Sequence, residues 1–181
     1  MSHWIVLVTL LLSAAFVPQA SSNASLVVTE KSTSYELTVP TSRLVLTIPK
    51  DELAPAKLAA DQGSPRYFYF EAATKLVAAS GWFEPEQSFK GMSAFWSGEE
   101  SNLIRQGFRP ASVAQERVGS WQVVLYDIAL PGGGRSSNMR AELVQAGTWI
   151  DLHLSVTGRQ TEEEGRSRLR KLLGTLTVTE R

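Results

Sequence analysis

The sequence predicts an α+β fold, in which an antiparallel β-sheet is flanked by two main helices in an α/β sandwich. In residues 149–157, aliphatic and polar side chains alternate, which is the period of a strand with one buried face. Residues 139–145 form a second alternating run, and Ala146-Gly147 between the two runs suits a short hairpin turn. A helix with signals at both ends is predicted at 161–173. The predicted order is strands, a long helix, four strands, a second helix and a final strand. An antiparallel sheet covered by the two helices is the packing that best fits this order.

The other strands follow from alternation and composition. Residues 121–130 are apolar on both faces, which predicts a central strand that ends at Pro131 and the three glycines after it. Residues 113–118 are predicted to lead into this strand. Further strands are predicted at 35–39, 44–48, 66–73, 75–80 and 176–178, while residues 25–34 are expected to form a loose lead-in.

Two helices are predicted. In residues 88–106 one helical face carries the larger apolar side chains, and the interior glycines Gly91 and Gly98 are expected to let the helix sit close to a sheet. This apolar face comprises Phe89, Met92, Phe95, Trp96, Leu103 and Ile104. In the helix at 161–173, Thr161 and Glu164 have the spacing of a capping box. Pro55 excludes one long helix across residues 50–63, although a short helical turn is expected over 56–61.

The N-terminus predicts export. Residues 5–17 form an apolar run that is short for a bilayer-spanning helix and typical of a signal peptide, and small residues follow it. Cleavage is expected after Ala24, with Ser22 as the other candidate position. We therefore expect a signal peptide at 1–24 and a single domain at 25–181, located in the periplasm or secreted. Retention of the run as an uncleaved anchor is the alternative; after processing we expect no stable membrane anchor.

Composition excludes several classes of function. The chain has 18 basic and 18 acidic residues, so the excess positive charge that drives nucleic-acid binding is missing. It has no cysteine, which excludes disulfides, zinc–thiolate sites, thiol nucleophiles and acylation at a lipoprotein cysteine. No phosphate-binding or cofactor-binding loop is evident, and we predict no cofactor.

The element order and three local phrases resemble the Mog/PsbP-like α/β superfamily, which includes the photosystem extrinsic protein PsbP and the bacterial periplasmic DcrB-like proteins. The phrases are GWFE at 81–84, WQVVLYD at 121–127 and GTWIDLHLSVT at 147–157, and the last two are similar to sequences of exported proteobacterial proteins. The resemblance covers residues 42–178. It implies an α/β sandwich that serves as a non-enzymatic binding or assembly module, and it carries over no catalytic residue.

His153 is the one histidine expected in the mature chain, and it shares a strand face with Asp151. Side chains two residues apart on one strand lie parallel, about 6–7 Å apart, and do not converge as a nucleophile and its base must. A metal site using Asp151 and His153, with Asp127 or Glu142 from a neighbouring strand, would have few of the ligands that zinc prefers. We therefore predict no catalytic and no metal-binding residue.

The tryptophans are the stronger candidates for a binding site. Trp149 is predicted on the polar strand face beside Asp151 and His153, where a merely exposed indole would be unfavourable. Either the helix at 88–106 covers this face, or the ring lines a groove with Arg140, Glu142 and Tyr126. The candidate ligand- or partner-binding residues are Trp149, Asp151, His153, Tyr126, Arg140, Glu142 and Trp82.

These observations favour an exported binding module without catalytic activity. Its partner is expected to be a periplasmic protein, a peptide or a small molecule, and not a nucleic acid. The alternative is a hydrolase or metal-dependent enzyme that uses the strand face with Asp151 and His153.

Overall fold

The computed structural model describes residues 24–56, 65–74 and 76–181. The signal peptide predicted at 1–24 lies outside these residues except for Ala24, and the helical turn predicted at 56–61 lies outside them except for Ala56.

The described residues form eleven strands and two α-helices. The strands are β1 (Val27–Glu30), β2 (Ser34–Thr38), β3 (Leu44–Pro49), β4 (Ala54–Pro55), β5 (Tyr67–Glu71), β6 (Val77–Pro85), β7 (Ala111–Val118), β8 (Trp121–Leu130), β9 (Gly134–Gln145), β10 (Thr148–Gly158) and β11 (Thr177–Glu180). The helices are α1 (Met92–Arg105) and α2 (Glu162–Thr175), and short 3-10 turns occur at Glu86–Ser88 and Pro131–Gly133. Within the described part of the chain, no helix is long and apolar enough to cross a membrane.

The strands form two antiparallel sheets, so the mixed α+β class with two helices is confirmed while the expectation of one sheet is wrong. The larger sheet has the order β4-β5-β6-β10-β9-β8-β7, and the smaller one the order β1-β2-β3-β11. β11, the last strand, pairs with β3 rather than with its neighbours in sequence. This pairing joins the two ends of the described chain in one small sheet.

The core lies between the larger sheet, the smaller sheet and α2. Aliphatic side chains from β10, such as Ile150 and Leu152, meet Leu169 and Leu173 of α2 and Leu46 of β3 in one buried cluster. α1 packs on the opposite face of the larger sheet, where Trp96, Val124 and Tyr126 form a small second cluster. The larger sheet is therefore a central layer with an extensive apolar core on one face and lighter cover on the other.

Several local predictions are confirmed. β9 and β10 form the predicted hairpin, in which Ala146 and Gly147 both have positive φ, as a two-residue turn between twisted strands requires. Both faces of β8 are buried, as its composition predicts. The Thr161–Glu164 capping box is present, with the Glu164 amide donating to Thr161 and the Glu164 carboxylate accepting from the Thr161 amide.

Other predictions are corrected. Residues 27–30 form β1 rather than a loose lead-in, because the backbone of β1 pairs with β2 although all four side chains are exposed. Ile104 is 57% exposed and therefore does not belong to a buried face of α1. Neither Gly91 nor Gly98 mediates a close approach to the sheet, since a Cβ placed at either position would meet no atom within 4 Å, and Gly91 is the N-cap of α1 rather than an interior residue.

Candidate functional site

All seven candidate binding residues lie on one face of the larger sheet, the face that α1 covers. The strand register places Asp151 of β10 opposite Glu142 of β9 on one side and opposite Trp82 of β6 on the other. It also places His153 opposite Arg140. Because side chains alternate between the two faces of a strand, Trp149 and Tyr126 share this face as well. We call this surface the polar face.

Asp127, considered above as a metal ligand with Asp151, lies on the other face. It follows Val123 and Leu125 at two-residue spacing, and these two belong to the core beside α2. Its carboxylate accepts a hydrogen bond from Ser137 at 2.7 Å and lies 3.6 Å from Arg166 of α2. Asp127 therefore cannot join Asp151 at one metal ion.

α1 is held above the polar face by aromatic contacts. β6 ends at Pro85, a 3-10 turn follows, and Gly91 caps the helix with φ of 93°, a value that favours glycine. The ring of Trp149 lies between Phe89, at 5.3 Å between centroids, and Phe95, at 6.0 Å. Trp96 packs on Tyr126 at 5.1 Å. Trp149 is therefore both covered by the helix segment and part of a groove lining: its ring packs under this segment and stays half-buried at the edge of an open groove.

Arg140 occupies the centre of the polar face and binds two acidic residues. Its Nη2 atom donates to both carboxylate oxygens of Asp151 at 2.7 Å, and its Nη1 atom lies 3.6 Å from the carboxylate of Glu99 on α1. The guanidinium also lies 5.1 Å from the ring centroid of Phe95. Only 7% of the Arg140 side chain is exposed, so these contacts compensate a charge that is removed from water.

Glu142 is the most unusual group on the polar face. It is 1% exposed, and its Oε2 atom accepts a hydrogen bond from Trp149 Nε1 at 2.6 Å. Burial, together with the negative charge of Asp151, raises the pKa of Glu142 to about 9, which outweighs the opposing effect of Arg140. This shift favours the protonated form of Glu142 at neutral pH.

Asp151 differs from Glu142 because Arg140 binds it directly. Burial raises the pKa of Asp151 to about 6, Arg140 opposes that rise, and the negative charges of Glu99 and Glu84 add to it. Two carboxyl groups can share a hydrogen bond only when one of them carries a proton. Glu142 Oε1 is buried and has no hydrogen-bond partner when both carboxylates are ionised, because both are then acceptors. When Glu142 is protonated, it can donate a hydrogen bond to the ionised Asp151.

His153 is directed away from Asp151. Its Nε2 atom lies 3.2 Å from Asn138 Oδ1 on β9. Burial and the nearby positive charge of Arg140 lower the pKa of His153 well below its usual range, so the ring is neutral at neutral pH. Among the described residues, no three histidine, aspartate or glutamate side chains come together as metal ligands.

An open groove of about 550 Å³ lies between α1 and the polar face. Four predicted residues line it, namely Trp82, Arg140, Trp149 and Asp151. Tyr126, Glu142 and His153 lie outside its lining: Tyr126 is buried beneath Trp96, and Glu142 supports Trp149 from below. We call the groove the α1 groove.

The groove-lining residues that sequence reasoning missed include two charged residues, Glu84 and Glu99, and one aromatic residue, Phe95. Glu84 belongs to strand β6, which extends beyond the strand predicted at 75–80, and two-residue spacing places it on the same face as Trp82. Phe95 and Glu99 are four residues apart on α1 and so lie on one helix face. This spacing could have been found in the sequence, but Phe95 was assigned to a face defined only by apolar residues.

A larger hollow, of about 700 Å³, lies between α2 and residues 48–53. It contains none of the predicted site residues. The α1 groove is therefore the candidate site.

Searches against protein-family models and against curated proteins give no match for this chain.

Proposed function

We propose that this chain is an exported binding module without catalytic activity, with a Mog/PsbP-like α/β sandwich fold, and that its ligand or partner occupies the α1 groove. One observation carries the proposal: strands β6, β9 and β10 and helix α1 together contribute aromatic and charged side chains to one solvent-open groove. Sites for small molecules and peptides commonly combine aromatic walls with a few fixed polar groups.

Hydrogen bonds behind two wall residues of the α1 groove support a binding role. Trp149 donates a hydrogen bond to Glu142, and Asp151 accepts one from Arg140, so both wall residues are held in position. A site whose side chains are already positioned loses little conformational entropy when a ligand binds. The groove is about the size of a small-molecule or peptide side-chain site.

The sandwich arrangement supports the proposed relation to the PsbP-like proteins. An antiparallel central sheet with one helix on each face, and with a small second sheet over the core, agrees with the element order on which the resemblance depends. The proposed location outside the cytoplasm depends on the apolar run at 5–17. Mass spectrometry of the exported protein would test it, because retention of residues 1–24 would contradict cleavage.

The alternative is an enzyme that uses Asp151 and His153. Asp151 is bound by Arg140, and His153 contacts Asn138, so the two side chains do not form a catalytic pair with each other. The variant His153→Ala separates the two hypotheses: if the protein is a binding module, a turnover assay should give the same signal for wild type and variant. Turnover that is lost in His153→Ala while the protein stays folded would favour the enzyme.

The test of the binding proposal blocks the α1 groove without disturbing the sheet. Gly98 lines the groove and has no atom within 4 Å of an added Cβ, so Gly98→Trp can place an indole in the groove. Ser101→Trp, on an exposed position of α1 outside the groove lining, is the matched control. Each protein is immobilised and exposed to periplasmic extract, and its folding is checked by circular dichroism.

The proposal predicts a ligand or protein that wild type and Ser101→Trp retain and that Gly98→Trp does not. Equal retention by all three proteins would show that binding occurs elsewhere on the molecule. If no specific ligand or protein is retained by wild type, the proposed function fails.

A further inference from the structure

Helix α1 is held to the larger sheet by few buried contacts. Within α1, all of which the structure describes, only Trp96 is buried, and it packs on Val124 and Tyr126. In α2, which is equally long, four residues are buried against the main core. Elements with few buried apolar contacts are the ones that open locally at the lowest free energy. We therefore expect α1 to separate from the sheet more readily than α2.

A glycine with positive φ lies at each end of α1. Gly91, the N-cap, has φ of 93°, and Gly107, just after the helix, has φ of 86°. A Cβ added at either glycine would meet no atom within 4 Å. Hinges are commonly a few residues at the ends of elements that absorb large changes in φ and ψ. The two glycines therefore allow α1 to move as a unit relative to β6 and β7.

Beneath α1 lies a buried group of like charges. Glu142 of β9 and Asp151 of β10 are directly opposite each other, and both are more than nine-tenths buried. Arg140 binds Asp151, and Glu99 of α1 brings a further carboxylate to 3.6 Å from Arg140. The single charge of Arg140 thus faces two negative charges when Glu142 is protonated and three when Glu142 is ionised.

Among the described residues, the other groups around Glu142 add no positive charge. On β8, Gln122 lies opposite Glu142 and is uncharged, and burial raises the pKa of Tyr126, so its hydroxyl stays neutral. On β10, His153 is neutral because burial lowers its pKa. On β6, Glu84 adds to the negative charge. An ionised Glu142 is therefore a buried charge without a partner of its own, which is unfavourable unless water reaches it.

Trp149 connects Glu142 to the helix. Its Nε1 atom donates to Glu142 at 2.6 Å, and its ring packs against Phe95 of α1 at 6.0 Å between centroids. A movement of α1 away from the sheet takes Phe95 off this indole and carries the carboxylate of Glu99 away from the buried group. Opening of α1 therefore admits water to Glu142 and removes one of the three negative charges.

We infer that α1 is a lid, hinged at Gly91 and Gly107, which opens away from the polar face when Glu142 becomes negatively charged. The inference rests on the proposed function as far as it concerns regulation of the α1 groove, because opening removes the helix wall of that site. The raised pKa of Glu142 places the change above neutrality, so the lid is closed at neutral pH and opens under alkaline conditions.

Thiol labelling tests the lid, since the chain has no cysteine of its own. Val124→Cys places a thiol under Trp96, where α1 covers it, and Val123→Cys places one in the main core on the opposite face of the same strand. Both valines are at most 1% exposed, so the two positions are matched in burial. Each variant is labelled with and without Glu142→Gln at pH values from about 6.5 to about 8.5, and each rate is divided by the thiolate fraction of a reference peptide.

Val124→Cys should react at least about ten-fold faster than Val123→Cys, because opening of α1 costs less free energy than global unfolding. Its corrected rate should rise by up to about ten-fold per pH unit, since opening releases one proton, and the rise should be absent in Glu142→Gln. Equal rates for the two thiols would overturn the lid, because both would then report global unfolding. A rise that persists in Glu142→Gln would overturn the control of the lid by Glu142.

Exchange of the Trp149 indole N–H with solvent, measured by NMR, gives a second readout that needs no cysteine. The ratio of the exchange rates of wild type and Glu142→Gln should increase with pH, and a constant ratio would overturn the inference. Neither measurement uses a ligand. If the lid fails, the Gly98→Trp capture experiment still decides whether the groove binds, and if the capture fails, the lid is still measured.

Discussion

Glu142→Gln should make the stability of the protein less dependent on pH above neutrality. Glutamine has nearly the same shape as a protonated glutamate, so its side-chain oxygen can accept from Trp149 Nε1 and its amide can donate toward Asp151. The substitution therefore keeps the contacts of the protonated form and removes the group that titrates.

The direction in which pH changes the free energy of unfolding follows from the raised pKa of Glu142. The pKa of Glu142 is raised from 4.5 to about 9 on folding, so the folded protein holds a proton that the unfolded chain has released throughout this window. The contribution of Glu142 to the free energy of unfolding is fully present below its pKa in the unfolded chain. It is lost as the pH rises towards its pKa in the folded protein. One extra bound proton corresponds to a loss of about 1.4 kcal/mol in the free energy of unfolding for each pH unit.

Urea unfolding of wild type and Glu142→Gln, at pH values of about 6.5 and about 8.5, measures this slope. We expect wild type to lose about 3 kcal/mol more than the variant over this interval. His153 does not interfere, because its lowered pKa places its titration below the interval. Equal slopes in the two proteins would refute the assignment of a buried, protonated Glu142.

Three further predictions concern stability and are measured by the same urea unfolding. Arg140→Met should destabilise the protein by about 3–5 kcal/mol because it leaves the Asp151 carboxylate buried without its partner. Adding Asp151→Leu should restore part of this loss. A loss below about 1 kcal/mol would contradict a buried ion pair. Gly81→Ala should destabilise by at least about 2 kcal/mol because its Cβ would clash with the Asp151 carbonyl oxygen, whereas Gly98→Ala, whose Cβ meets no neighbour, should stabilise by up to about 1 kcal/mol. Thr161→Ala should cost about 1 kcal/mol through loss of the α2 cap, and an unchanged stability would show that the cap is not important.

Local patterns were enough to predict the elements that carry the site. The alternation in residues 149–157 and the Ala146-Gly147 turn fix which side chains of β9 and β10 share a face, because a one-residue slip would bury Asp151 in the core beside α2. The alternation therefore predicts the shared face of the candidate residues on β10, whereas the positions of Trp82 and Tyr126 follow only from the strand register. The capping box fixed the start of α2 in the same way.

Long-range pairing could not be predicted in this way. β11 joins β3 across most of the chain, and β1 has exposed side chains that give no apolar period. The groove residues Glu84 and Glu99 were missed for a related reason. Each is an ordinary acidic residue in sequence, and it becomes part of a site only when β6 and α1 are brought together over Arg140.

The indole N–H resonances of the protein test the central claim most directly. Trp82 and Trp149 line the α1 groove, whereas Trp121 lies in the core on the opposite face of the larger sheet and serves as an internal control. In a nitrogen-15-labelled sample screened with cationic, neutral and anionic fragments, we expect binding fragments to shift the Trp82 and Trp149 resonances while Trp121 stays in place. Fragments that bind and leave both groove resonances unchanged would contradict the assignment of the α1 groove as the binding site.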